Sequence, residues 1–493
     1  MAIWQGWSMS TSFRVNAVIQ GGGHAPGQRI LIEEGSHSGA THLTAITGRN
    51  GVGKSRLLSD IAAVFEAISG SKPRSGVEAT VEYQFGRSRC TATLNQGKVL
   101  AEVDGARVDP SRLPGPKRVA AVTTSAFDKF QIPRSQNGRT DPDPSSPYRY
   151  LGLKDSRGRI SATAGLYRAL DALFDSIASD EQHRSRVSEV FSDLGYEARI
   201  EVAYGWTSLG EGLVKSGADL DQVEYSAFSK HAQEEPDSWF GGERPDARQP
   251  LVRELAQAVE LIGELSTGRE GALVADFQNP GVARLDHLRA ARLLRRADMI
   301  RTKRVTLTRS NTGQRLNIKD ASSGEISLVT SMLGIASAID DQSLILIDEP
   351  EISLHPEWQS GYVNRLLASF DRYKECHFLV ATHSPLIIAG LPELYSNIVS
   401  LEREIDDDFA GGRSLDEALV RVFGVAGPDN LFVKQSLVRA LRMASDGSYR
   451  NPEFSKLMNA LKTWSSATDA APGVLAVIAD LEATVARASR ASR

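Results

Sequence analysis

Hydrophobic positions follow two different periods along this chain. Residues 43–47 and 119–123 read as short strands. Residues 344–347 and 378–381 are unbroken apolar runs, the pattern of strands buried on both faces. After a glycine-rich turn, Leu57, Leu58, Ile61, Val64, Phe65 and Ile68 recur at helical spacing, and Gly70 ends the run. Residues 80–85, 91–94 and 98–103 read as strands joined by tight turns.

The character changes at Ser135, where residues 135–146 have loop composition. Residues 160–300 are helix-rich, with a polar, proline-interrupted loop expected over 233–250. Strand patterns return at 304–308 and 315–318, flanking a turn at Asn311, Thr312 and Gly313. Residues 415–493 are helical in pattern, with breaks at Gly427-Pro428 and Pro472-Gly473. An α/β domain is therefore expected in two pieces, 1–134 and 303–414. A helical insertion separates them at 135–302, and a helical C-terminal region follows at 415–493.

Composition narrows the class. At 493 residues and about 150 per domain, roughly three domains are expected. A hydrophobic content of 41% is enough for genuine cores, which excludes a chain disordered throughout. The net charge of −4 excludes a histone-like general nucleic-acid binder. Cys90 and Cys376 are the two cysteines, which excludes a disulfide framework and a cysteine-based zinc site and points to a reducing, cytoplasmic compartment. Residues 1–10 lack the basic leader and apolar core of a signal peptide, and no apolar run is long enough to span a membrane.

Three motifs carry chemistry. Gly48-Arg-Asn50-Gly51-Val-Gly53-Lys54-Ser55 satisfies the phosphate-loop pattern between a strand and a helix. Its glycines let main-chain amides approach phosphates, and Lys54 reaches the β- and γ-phosphates. Ser55 offers its hydroxyl to Mg²⁺. A buried strand then delivers Asp348 and Glu349 to a sheet edge, where Asp348 would hold Mg²⁺ and Glu349 would polarise an attacking water. A third strand ends at His383, a lone histidine that reads either as a satisfied structural residue or, leaving its strand beside the other two edges, as a γ-phosphate contact. Ser322-Ser-Gly324-Glu325 is less specific by itself: it reads as the cap of a helix over 326–339, with the same geometry offering donors to an anion.

Taken in chain order, these motifs resemble the ABC-class ATPase heads of the SMC, RecF and OLD type. The string Ile347-Asp-Glu-Pro-Glu-Ile-Ser-Leu-His-Pro356 is especially similar to AAA-like ABC ATPases of bacterial phage-defence systems, such as the Septu ATPase PtuA and the retron-associated ATPases. The resemblance implies an α/β ABC-type P-loop head that binds ATP and Mg²⁺ and closes as a homodimer or higher homo-oligomer. It implies that Ser322 and Gly324 are signature residues reaching the partner's γ-phosphate. It also implies that residues 353–356 form the D-loop, that His383 is the switch histidine, and that a separate effector such as a nuclease is regulated. The signature departs from the family consensus: Ala321 replaces leucine, Ser323 the first glycine and Glu325 glutamine. Gln131 and Asp128 are rival candidates for the Q-loop residue.

The insertion occupies the interval where SMC-like proteins place their arms, but lacks sustained heptads. Within it, the segment from Arg284 to Arg304 sets eight basic residues against Asp286 and Asp298. Such a stripe suits nucleic-acid phosphates, or equally a solvated helix face with arginines bound to local acids. The run 402–408 reads as a solvated acidic loop. No TOPRIM-like acidic strand pattern follows His383 and no zinc-binding nuclease pattern is present, so the chain is read as the ATPase and not the nuclease. The alternatives are a RecF- or SMC-like DNA-repair ATPase, a transporter energy subunit, and a scaffold that binds ATP without rapid turnover.

Overall fold

The computed structural model describes residues 12–22, 25–32, 41–70, 76–132, 146–154, 160, 162–177, 181–225, 245–266, 270–279, 285–394, 396–402, 414–425, 427, 429–466 and 472–491. The chain divides into two units. One comprises Met1–Leu43, Ser55–His355 and Arg365–Ala381; the other comprises Thr44–Lys54, Pro356–Asn364 and Thr382–Arg493.

In the first unit, four parallel strands follow the order Tyr148–Leu151, Val119–Thr123, Leu344–Asp348 and His377–Ala381. The last three are buried at every position, which is why their sequences are continuous apolar runs and not alternating ones. Each fully buried aliphatic side chain here is worth about 1.5–3 kcal/mol. The register sets Asp348 opposite Thr123 on one side and Ala381 on the other. Polar residues are thereby delivered together at the carboxyl ends of the strands.

A six-stranded antiparallel sheet accompanies it, in the order Ala25–Leu31, Phe13–Gly22, Ala79–Phe85, Ser88–Asn95, Lys98–Val103 and Ala106–Val108. The strands expected over 80–103 lie within it, and the alternating burial of Ala79–Phe85 and Ser88–Asn95 matches a sheet with one covered face. Phe13, Phe65 and Tyr83 meet there as an aromatic cluster, which binds this sheet to the helix Lys54–Ile68.

The middle of the chain is helix-rich, as its pattern indicates, with helices Ala162–Ile177, Glu181–Asp193, Pro245–Glu264 and Leu285–Arg296 among others. It also builds a second antiparallel sheet, ordered Glu270–Asp276, Tyr196–Trp206, Ile300–Arg309 and Arg315–Asn317; the last two strands carry the patterns expected at 304–308 and 315–318, and the first two were not expected. Strand Ile300–Arg309 runs unbroken across residues 302 and 303. The loop expected over 233–250 is corrected at its end, because Pro245–Glu264 is helical with Pro250 inside it. Pro250 is the sixth residue of that helix, past the first turn, so its missing N–H leaves one i→i−4 bond unmade. Most of the loop at 135–146, residues 233–244, Arg284, Pro428 and residues 403–408 of the acidic run lie outside the described residues.

In the second unit, Thr382 N–H donates to Ile46 O, and Leu401 N–H donates to Thr47 O beside strand Ser396–Ser400. The C-terminal region is helical as expected: Leu415–Arg421, Leu431–Ser445, Pro452–Ser466 and Pro472–Ala491. Val420, Val433, Ala440, Phe454, Met458, Leu461, Ile478 and Leu481 form its core. Asn430 caps Leu431–Ser445 through Val433 N–H, and Pro472 occupies a first helical position, where proline needs no donor. Among the described residues, no helix is long and apolar enough to cross a membrane.

Candidate functional site

The division into units passes between two neighbouring residues of the phosphate-loop motif, Lys54 and Ser55. In the second unit, residues 48–53 turn sharply ahead of the helix Lys54–Ile68. Gly51 and Gly53 have φ of 84° and 111°, where an L side chain would be strained. Asn50 and Gly51 are exposed, so the loop's outer surface is open. Lys54 is only 4% exposed. Its Nζ donates to Gly48 O at 2.9 Å and Arg49 O at 3.3 Å, and lies 2.7 Å from His383 Nε2. The lysine ammonium, the loop carbonyls and His383 therefore form one cluster. At the head of the helix the first N–H groups have no intrahelical acceptor, a ready anion-binding arrangement.

In the first unit, Ser55 Oγ donates to Asp348 Oδ1 at 2.9 Å. Asp348 is 1% exposed at the end of its strand. A hydroxyl and a carboxylate oxygen at this separation are a hard-oxygen donor pair of the kind Mg²⁺ takes, so the residues present fit that ion. Among the described residues, no group of three or more His, Cys, Asp or Glu side chains forms a separate metal cluster.

Glu349 follows directly with φ of 50°, a left-handed conformation that is costly for a glutamate. Two bonds hold it there. Glu349 N–H donates to Ala381 O at 2.9 Å, and Thr124 Oγ1 donates to Glu349 O at 3.1 Å. The backbone thus turns away from the sheet at the first residue after Asp348. Thr124 is a contributor that the sequence did not reveal, since only the strand register brings it there.

Ser322 caps the helix Ser323–Ala338, its Oγ accepting from Glu325 N–H at 3.2 Å. The cap expected from sequence is present, and the helix starts earlier than 326. Ser322 and Ser323 are exposed while Gly324 is buried. A Cβ on Gly324 would meet Ser353 O at 2.6 Å, so only glycine fits there against the Ser353 and Leu354 backbone. Glu325 Oε1 accepts from Tyr196 Oη at 2.5 Å and from Arg309 Nη2 at 2.6 Å.

Both Q-loop candidates are turned inward. The Asp128 carboxylate meets Lys154 Nζ at 3.1 Å and accepts from Tyr150 Oη and Phe130 N–H, each at 3.1 Å. Gln131 O accepts from Tyr148 Oη at 2.8 Å, and its side-chain Oε1 is buried. On the phosphate-loop helix, burial pushes the Glu66 carboxyl up to about 7. Burial likewise pushes the Cys90 and Cys376 thiols up to about 12, which keeps both protonated and unreactive.

The basic stripe is partly neutralised in place. Arg295 forms an ion pair with Asp171 and lies over the Tyr167 ring, while Arg289 pairs with Asp286 at 3.9 Å and Arg301 with Asp298 at 3.4 Å. Arg292 and Arg295 face the inner wall formed with Leu170, Phe174 and Tyr204.

Residues 154–389 match the family described as "AAA domain, putative AbiEii toxin, Type IV TA system". The chain is 28% identical over 120 residues to the Retron Vc95 probable ATPase of Vibrio cholerae serotype O1 biovar El Tor, covering 22% of each chain. It is 31% identical over 83 residues to the Retron Ec83 probable ATPase of Escherichia coli, covering 15% of each. It is 31% identical over 72 residues to Protein ea59 of Escherichia phage lambda, covering 15% of this chain and 14% of that one. The chain thus spans about a fifth or less of the length of the curated relatives it matches. SMC head domains from Pyrococcus furiosus and Thermotoga maritima align at 12% identity, with TM-scores of 0.31 and 0.32, over 77% and 76% of this chain and 92% of each of theirs. The resemblance read from the motifs to retron-associated ATPases is borne out by these sequence similarities, which are local and of low identity.

Proposed function

We propose that this chain binds ATP with Mg²⁺, hydrolyses it in a head-to-tail dimer, and so regulates a separate effector, a nuclease by class, in bacterial antiviral defence. The observation that carries the reading is the Ser55–Asp348 hydrogen bond, which joins the phosphate-loop serine to the acidic strand end across 293 residues of sequence. The likeness to retron ATPases supports the defence setting.

In this reading the amides of residues 48–55 and Lys54 bind the β- and γ-phosphates. Ser55 and Asp348 would hold Mg²⁺, which supplies neutralisation of phosphate charge when bound. Glu349 orients and polarises the attacking water, and His383 contacts the γ-phosphate. Ser322 and Gly324 of the partner subunit complete the site with hydroxyl and amide donors, which stabilise the transferring phosphoryl without reorganising.

The direct test is ATP turnover by the purified chain across a Mg²⁺ titration, with Asp348→Asn alongside. The variant is expected to lose about tenfold or more of kcat/KM and to require more Mg²⁺. Equal turnover by parent and variant at every Mg²⁺ concentration would overturn the site. The effector half is tested by capture from the native host with and without ATP. Failure to retain any nuclease-class protein under either condition would overturn that half.

A further inference from the structure

Glu325 stands three residues after the cap Ser322, at the end of the helix that would face a phosphate. A carboxylate in a helix's first turn favours the helix by about 0.3–1 kcal/mol. The same charge opposes an anion arriving at that helix end. The structure places two side chains on it. Tyr196 and Arg309 lie directly opposite one another across the antiparallel strands Tyr196–Trp206 and Ile300–Arg309. Both donate to the same Glu325 oxygen, at 2.5 Å and 2.6 Å. The Arg309 guanidinium also lies over the Tyr196 ring, 5.5 Å from its centroid, which fixes the pair as a unit. Burial and the neighbouring carboxylate push the Tyr196 hydroxyl up, so it remains a donor.

We propose that Tyr196 and Arg309 are positioning residues for the phosphate end of the helix Ser323–Ala338. They draw the Glu325 carboxylate toward the insertion's sheet and cancel its charge. The Ser322 hydroxyl proton and the amides of the helix start not used by the cap are then left to the γ-phosphate of a nucleotide held by the partner subunit. This rests on the ATPase reading above and adds to it a role for the insertion. The sheet built from residues 196–206 and 300–309 keeps the signature helix electrostatically competent.

The test compares ATP turnover by the parent, Arg309→Gln, Glu325→Gln and the double variant, with thermal denaturation of each. Arg309→Gln strands an uncompensated carboxylate and is expected to lower kcat about tenfold or more, with KM for ATP within about twofold. Glu325→Gln keeps an acceptor for Tyr196 and removes the charge, so its kcat is expected to exceed that of Arg309→Gln by about threefold or more. The double variant is expected to recover to the level of Glu325→Gln. It lacks the Arg309 tie as fully as the single variant does, so recovery separates cancelled charge from lost structure. Arg309→Gln turning over like the parent, or a double variant as slow as Arg309→Gln, overturns the proposal while leaving the ATPase reading standing. A parent that neither hydrolyses ATP nor dimerises with it overturns both.

Discussion

Lys54 Nζ lies 2.7 Å from His383 Nε2, although 329 residues separate them in sequence. The lysine of the phosphate loop and the histidine beyond strand His377–Ala381 therefore share one polar cluster with Gly48 O and Arg49 O. A charged donor with several acceptors holds a defined position, which is what recognition of a phosphate requires.

Lys54→Ala removes that charge together with the ties to the loop carbonyls. Charge-assisted hydrogen bonds are worth about 1.5–3 kcal/mol, so ATP affinity is expected to fall roughly 10- to 100-fold. Equilibrium titration with a fluorescent ATP analogue, on protein shown to be folded, measures this. Undiminished affinity would remove Lys54 from the phosphate site.

Glu349→Gln preserves shape and removes the negative charge. It is expected to bind ATP, to hydrolyse it at least ~10²-fold more slowly, and to accumulate as an ATP-bound dimer in sedimentation experiments. Ser322→Arg is expected to abolish turnover while leaving ATP binding intact. A mixture of Lys54→Ala and Ser322→Arg chains can assemble one complete site and should regain part of the activity. Full activity of a dilute monomer would contradict a shared site.

Gly324→Ala would force a Cβ to within 2.6 Å of Ser353 O, a backbone atom. Overpacking of this kind costs about 1–3 kcal/mol. A lowered Tm is expected, with turnover reduced further than the stability loss alone explains, because the Ser353 backbone and the helix end must separate. An unchanged Tm would show that the contact is readily relieved.

Glu66 titrates near 7 in the folded chain against 4.5 ordinarily, because burial penalises its charge. Between these values the folded state binds more protons than the unfolded state, so this group's contribution makes stability fall as pH rises from about 4.5 to 7 and then level off. The shift corresponds to about 3 kcal/mol above the upper value. Glu66→Gln should therefore stabilise the protein more at pH 8 than at pH 5, as measured by urea denaturation at both. An equal effect at both pH values would contradict a buried, titrating carboxyl.

Chemistry that is local in sequence was legible in it. The loop Gly48–Ser55 is set by glycines that tolerate positive φ and by a helix that must begin where they end. The strands at 119–123, 344–348 and 377–381 follow from apolar runs that only a sheet buried on both faces can accommodate. Ser322 as a cap follows from a serine hydroxyl's reach to an amide three residues on.

What the sequence could not determine were the meetings between distant segments. Nothing near Asp348 indicates that Thr124 will hold the next residue's carbonyl, because that contact depends on strand register. Strands Phe13–Gly22 and Ala25–Leu31 did not stand out as strands in sequence, and are recognisable by the partners they pair with. Of the sheet Glu270–Asp276, Tyr196–Trp206, Ile300–Arg309 and Arg315–Asn317, the last two strands were legible as a hairpin pattern, while the first two were hidden in a helix-rich stretch, and with them the Tyr196–Arg309 clasp on Glu325. Helix caps and glycine turns are satisfied within a few residues. A strand's hydrogen bonds and a buried carboxylate's partners are supplied by other parts of the chain, so tertiary structure decides which ones arrive.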